Sequence, residues 1–159
     1  MKHKADDVKY SDKITKNLSG VKFRSAFSKY CTELGFRVTD WDALFDEIAC
    51  GEENELLLRS IEGGEVIGFV LFRPETFSSN YFEETCGFIR EFWVEKFHRR
   101  RGHGTELLKE TENYFLKQGV GTVVLTTNSA GKFYMNRGYE KAPFCKAKNG
   151  YEVYVKKLK

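Results

Sequence analysis

Two glycines one residue apart, Gly102 and Gly104, come directly after three consecutive arginines, Arg99, Arg100 and Arg101. The stretch leaves an apolar run, Phe88 to Val94, and opens an amphipathic helical pattern that begins near Thr105. Few architectures place a strand, a glycine-punctuated turn and a helix in that order. Glycine lets the backbone pass close to a ligand with its amides turned inward. The helix start adds unpaired N–H groups and the positive end of its dipole. Together these bind a phosphate or pyrophosphate, and the arginines add charge and paired donors. Other phosphate-binding loops fit less well. No Lys-Ser or Lys-Thr follows the second glycine, and Leu107 stands where a dinucleotide fingerprint has its third glycine.

The remaining pattern supplies the elements around this loop. A short strand is expected at Val8 to Tyr10. Phe23, Phe27, Tyr30 and Leu34 follow helical spacing, and Gly35 fits a stop. Thr39-Asp40-Trp41-Asp42 reads as a capping box ahead of a second helix faced by Trp41, Leu44, Phe45 and Ile48. Two strands, Leu56 to Ile61 and Val66 to Phe72, flank the hairpin signal Glu62-Gly63-Gly64-Glu65. Pro74 is expected to end the second, with Phe77 to Tyr81 as a loop. A long strand, Thr85 to Glu95, runs into the arginine-glycine turn. Leu107, Leu108, Thr111 and Phe115 face a helix closed by Gly119. A strand at Thr122 to Thr127, a short helix from Ala130 to Arg137 and a hairpin turning at Asn149-Gly150 follow. In that hairpin Tyr151, Val153 and Val155 are expected to point inward. The order predicts one α/β domain over residues 1–159, a mixed central sheet flanked by helices. Within it, Thr85 to Thr127 forms a parallel strand pair with a right-handed crossover.

Bulk properties narrow the class further. The 159 residues are 41% hydrophobic and 15% aromatic, which suits a globular fold. The formal charge of +3 is no larger than the three loop arginines supply, so nucleic acid is not an expected partner. No apolar run approaches the ~18 residues of a membrane span, and the polar start of the chain is unlike a signal peptide. A cytoplasmic protein is expected. Cys31, Cys50, Cys86 and Cys145 are scattered, with no paired spacing that suits a metal, and each is expected to be a small buried side chain.

A second segment gives the loop a context: Asn128-Ser129-Ala130-Gly131-Lys132-Phe133-Tyr134-Met135-Asn136-Arg137-Gly138-Tyr139. Taken with R-x-x-G-x-G at Arg99 to Gly104 and with the element order, it resembles the GNAT superfamily of N-acetyltransferases. The likeness is carried by Leu56 to Tyr139. It implies a GNAT-like acyl-CoA N-acyltransferase fold that uses acetyl-CoA and no metal, acts on an amine-bearing acceptor and admits a homodimer. Arg99, Arg100, Arg101, Gly102, His103, Gly104 and Thr105 would then hold the pyrophosphate. Backbone groups of Phe92, Trp93 and Val94 would pair with the pantetheine arm, one N–H facing the oxyanion. Tyr134 matches the general acid toward the departing thiolate, and its alternative is a packed core tyrosine. Asn128 resembles a pantetheine contact and equally fits an N-cap. His103 is a bystander or a phosphate contact.

The general base is the point of departure. The positions that hold it in some relatives fall on Phe88 and Arg90, and neither side chain accepts a proton from an amine. Strict alternation places Phe88, Arg90, Phe92 and Val94 on one face and Ile89, Glu91 and Trp93 on the other. Glu91 is the nearest carboxylate, and a bulge would re-aim it. A surface or ion-paired glutamate and a water chain are the alternatives. Trp41 either anchors its helix or walls the acceptor groove. The leading reading is acetyl transfer to an amine of a small molecule or protein. Its rival is a catalytically degenerate CoA-binding regulatory module.

Overall fold

Sheet order, rather than element order, positions the site. A computed structural model describes residues 7–50, 53–78 and 83–159. In chain order its strands are β1 (Tyr10–Thr15), β2 (Glu55–Ile61), β3 (Val66–Ser78), β4 (Glu83–Val94), β5 (Thr122–Thr127), β6 (Glu140–Lys141) and β7 (Glu152–Lys157). The helices are α1 (Val21–Glu33), α2 (Trp41–Ala49), α3 (His103–Lys117) and α4 (Gly131–Met135), with a 3-10 turn at Lys96–His98. One seven-stranded sheet runs β1-β2-β3-β4-β5-β7-β6. Its pairs are antiparallel except β4 and β5, which are parallel as expected.

Apolar side chains bury both faces of this sheet. On one face Leu57, Val70, Phe72, Ile89, Val123 and Leu125 pack with Leu107, Leu108 and Phe115 of α3 and Tyr134 of α4. On the other, Leu56, Phe69, Leu71 and Trp93 pack with Phe23, Phe27 and Cys31 of α1 and Phe45 of α2. Each fully buried side chain of this size contributes ~1.5–3 kcal/mol. Helix ends follow local chemistry. Asp40 caps α2 by accepting from the Ala43 amide at 3.0 Å. That is a single cap rather than the expected box, because Ala43 holds the position a reciprocal carboxylate would need. Gly35, at φ +79°, closes α1, with the Phe36 amide reaching back to the Cys31 carbonyl at 3.0 Å.

Several expectations need correction. The first strand is Tyr10–Thr15 rather than Val8 to Tyr10, since an exposed edge strand of polar residues carries little alternation to read. Pro74 does not end β3. It pairs with Gly87 and the strand continues to Ser78. The β2 ladder stops at Phe72, so a missing N–H beyond that point costs no bond there. Phe77 and Ser78 therefore close the strand, and the rest of the expected Phe77 to Tyr81 loop lies outside the described residues. The final strand pairs with β6 across a ten-residue connection; Asn149-Gly150 forms a turn within it. Adjacent Val153 and Tyr154 are both buried, so β7 is covered on both faces, whereas Tyr151 lies before the strand and is exposed. Cys31 and Cys86 are buried, but Cys50 and Cys145 are exposed.

Candidate active site

The register of β4 departs from alternation at one residue. Leu71 faces Glu91 and Phe72 faces Ile89, so Arg90 is an extra residue without a partner on β3. Such a bulge reverses which faces the following side chains take. Ile89 belongs to the α3 face, and past the bulge Phe92 and Val94 pack on that same face. Glu91 and Trp93 turn toward α1 instead. The expected grouping of Ile89 with Glu91 is therefore wrong, and the bulge is the cause.

The same strand opens on its other edge. Among the described residues, β4 and β5 pair only at Gly87–Val123 and Phe88–Val124, after which they part. The Glu95 amide bonds the Ile67 carbonyl on β3 at 2.7 Å. Counting back by twos, the backbone of Trp93 faces β3 and that of Phe92 and Val94 faces the gap. Phe92 and Val94 thus fit the expected pairing edge, and Trp93 does not. Its side chain is buried against Phe69, and its indole donates to Glu33 at 2.9 Å.

Tyr134 stands beside this gap. Its ring packs edge-on against Phe92 at 6.2 Å, Phe133 at 5.1 Å and Tyr139 at 5.5 Å. Burial raises its phenol well above the ordinary range, so it stays protonated at neutral pH. Across the strand, Tyr30 of α1 donates to the Glu91 carboxylate. Burial pushes the Glu91 carboxyl up, partly opposed by that hydrogen bond and by the Arg90 charge. A carboxylate shifted upward in this way is a stronger base than an ordinary surface glutamate. Asn128 lies exposed just beyond β5. It does not cap α4. The Thr127 hydroxyl accepts from the Ala130 amide at 3.1 Å, and α4 begins at Gly131 rather than Ala130.

The glycine loop lies past the mouth of the gap. Arg100 and Gly102 take positive φ, 61° and 87°, and α3 starts at His103, two residues before the expected Thr105. The first amide bonded inside the helix is that of Glu106, to Gly102 at 3.1 Å. Among the described residues, no backbone carbonyl takes the amides of Arg100 to Thr105. A side chain at Gly104 would meet the Phe133 ring at 3.3 Å. Arg100 and Arg101 are exposed.

Two loop side chains point elsewhere. Arg99 donates through Nε to the Val94 carbonyl at 2.8 Å and pairs with Glu33 of α1, so it braces the loop against that helix. His103 is buried, with Nδ1 3.1 Å from Arg59 and its ring 4.5 Å from Tyr10. Burial and the Arg59 charge depress it. Only its amide faces the loop. Arg137 is the residue that sequence reasoning missed. It donates through Nε and Nη2 to the Thr105 hydroxyl at 2.9 and 2.6 Å, and through Nη1 to the Phe133 carbonyl at 2.7 Å. Nothing in local spacing ties residue 137 to residue 105.

Among the described residues no group of His, Cys, Asp and Glu is placed to hold a metal ion, and no helix is long and apolar enough to cross a membrane. The model of the acetyltransferase (GNAT) family matches residues 21–139. The structure resembles a GNAT-family acetyltransferase from Staphylococcus aureus MU50, with TM-score 0.66 and 16% identity over 94% of this chain and 100% of that one. It also resembles N-acetylglutamate synthase from Neisseria gonorrhoeae, solved with coenzyme A and N-acetyl-glutamate. There the TM-score is 0.64 with 17% identity, over 94% of this chain and 35% of that chain. An aminoglycoside acetyltransferase from an uncultured soil metagenomic sample aligns with TM-score 0.61 and 14% identity, covering 80% and 84% of the two chains. Identities this low establish a shared fold. No curated protein sequence matches the chain.

Proposed function

The chain belongs to the GNAT acetyltransferase family, and from that premise we propose that it transfers an acetyl group from acetyl-CoA to a primary amine. The observation that carries this reading is the coincidence of three features at one place. These are an open strand edge at Phe92 and Val94, a loop of unpaired amides at Arg100 to Thr105, and a protonated phenol at Tyr134 packed against Phe92.

Acetyl-CoA, when bound, supplies the thioester carbonyl that the amine attacks. The amides of His103, Gly104 and Thr105, with Arg100 and Arg101, hold the pyrophosphate. The gap-facing backbone of Phe92 and Val94 takes the place of a missing strand partner for the pantetheine amides, and a free N–H there steadies the oxyanion. Glu91 accepts the amine proton from the α1 side. Tyr134 donates its hydroxyl proton to the sulfur as the carbon–sulfur bond breaks. Asn128, exposed just beyond β5, contacts the pantetheine in this reading.

The test is calorimetry with coenzyme A, followed by thiol release from acetyl-CoA against a panel of amines. Binding with turnover on some amine is expected. Binding without turnover on any amine, protein N-termini and lysine peptides included, would favour a regulatory CoA-binding module. No binding at all would remove the reading.

A further inference from the structure

Resting on the coenzyme A reading, we propose that Arg137 is a phosphate-binding residue of the cofactor site, supplying from the turn after α4 the cation that Arg99 withholds. The loop carries R-x-x-G-x-G, but the first arginine of that motif is spent on the Val94 carbonyl and Glu33. Arg137 comes to the opposite flank of the loop. Its guanidinium lies over the Phe133 ring, 3.8 Å from the centroid. Three donors are fixed: two on the Thr105 hydroxyl and one on the Phe133 carbonyl.

A guanidinium has five N–H groups in a planar fork. Three are used here, so two remain, one on each terminal nitrogen. Thr105 is in the first turn of α3, where the amides of residues 103 to 105 have no carbonyl partner. The remaining donors therefore sit beside the same anion that those amides would hold. Stacking and three-point fixation remove the rotamer freedom that an arginine normally loses on binding, so the charge is pre-organised. The Thr105 hydroxyl accepts from Arg137, which leaves its own proton to point at a phosphate oxygen. No carboxylate among the described residues pairs with Arg137, in contrast to Arg99, so its charge is not already compensated. The ligand chemistry is a phosphate ester or pyrophosphate, from either the diphosphate bridge or the ribose 3′-phosphate of coenzyme A.

The experiment measures coenzyme A and 3′-dephospho-coenzyme A dissociation constants for wild type and Arg137→Met at several ionic strengths. Methionine keeps the packing over Phe133 and removes the charge. Coenzyme A is expected to bind at least tenfold more weakly to the variant, with a shallower dependence on salt, because a screened charge contact has been lost. A penalty equal for both ligands assigns the contact to the diphosphate; a penalty that vanishes for the dephospho form assigns it to the 3′-phosphate. An affinity within twofold of wild type overturns the proposal. So does a weaker affinity with unchanged salt dependence, which would mark a brace for the loop rather than a contact. Wild type that fails to bind coenzyme A removes the underlying reading as well, a result distinguishable from the other two. Arg137→Gln carries the same expectation if the methionine variant does not fold.

Discussion

Tyr134 and Glu91 stand on opposite faces of β4, and each has one group whose removal tests the role proposed for it. Tyr134→Phe keeps the ring among Phe92, Phe133 and Tyr139 and deletes only the hydroxyl. Fold and cofactor affinity should survive, while the single-turnover rate falls about 10²-fold. An undiminished rate would return the residue to packing. Tyr30→Phe removes the donor that partly offsets the burial of Glu91. As the proposed base Glu91 would work deprotonated, and the lost bond favoured its charged form. Its pKa therefore rises, and the acidic limb of kcat/KM should move to higher pH. A limb that stays in place would reassign the proton acceptor to water. Burial that raises the Glu91 carboxyl also makes its charge costly to the fold. Stability from this group is greatest below its unfolded pKa and is lost as pH rises through the folded value. Glu91→Gln should thus melt at a higher temperature than wild type at neutral pH while losing turnover, the trade expected of a functional group.

At the scale of elements, close approach of α3 to β4 is set by Gly87. A Cβ there would fall 2.6 Å from the Phe115 ring, which is part of the core rather than a flexible tip. Gly87→Ala is expected to destabilise by about 1–3 kcal/mol, read by denaturant unfolding. A cost below a few tenths would mean that α3 slides freely. Much of this layer was legible in the chain. The 3.6-residue spacing of Phe23, Phe27 and Tyr30 and of Leu107, Leu108, Thr111 and Phe115 marks α1 and α3, and the glycines at 35 and 119 end them. What could not be read is what depends on neighbours. Pro74 looks like a stop until the end of β2 is known. The bulge at Arg90 leaves no local mark, because neither Ile89 nor Glu91 is a glycine or proline. Arg99 has the right motif position, yet its partner Glu33 lies 66 residues away. Arg137 and Thr105 are 32 residues apart and meet only because α4 packs back on the loop.

Across the whole molecule, one buried arginine ties the first strand to the loop helix. Arg59 on β2 pairs with Asp12 of β1 at 2.8 and 2.9 Å, with Glu106 in the first turn of α3, and with His103. Glu106 is largely exposed, so its share is screened. Arg59→Met should cost about 1–3 kcal/mol for the bonds left unmade. It should also speed amide exchange in β1 more than in β3. Equal exchange in both strands would show that β1 is held by its ladder alone. The divergence of β4 and β5 bears on the molecule in a different way. Among the described residues, the β1-to-β4 and β5-β7-β6 portions share just two registered pairs, so the sheet has little continuity at its middle. Past those pairs, the backbone of Phe92 and Val94 on that edge of β4 faces no strand. A pantetheine arm lying in the gap would act as an eighth, removable strand. Native-state exchange should then resolve two cooperative units in the empty protein and a single unit once coenzyme A is added. Folding cooperativity would in that sense be a property of the complex and not of the polypeptide.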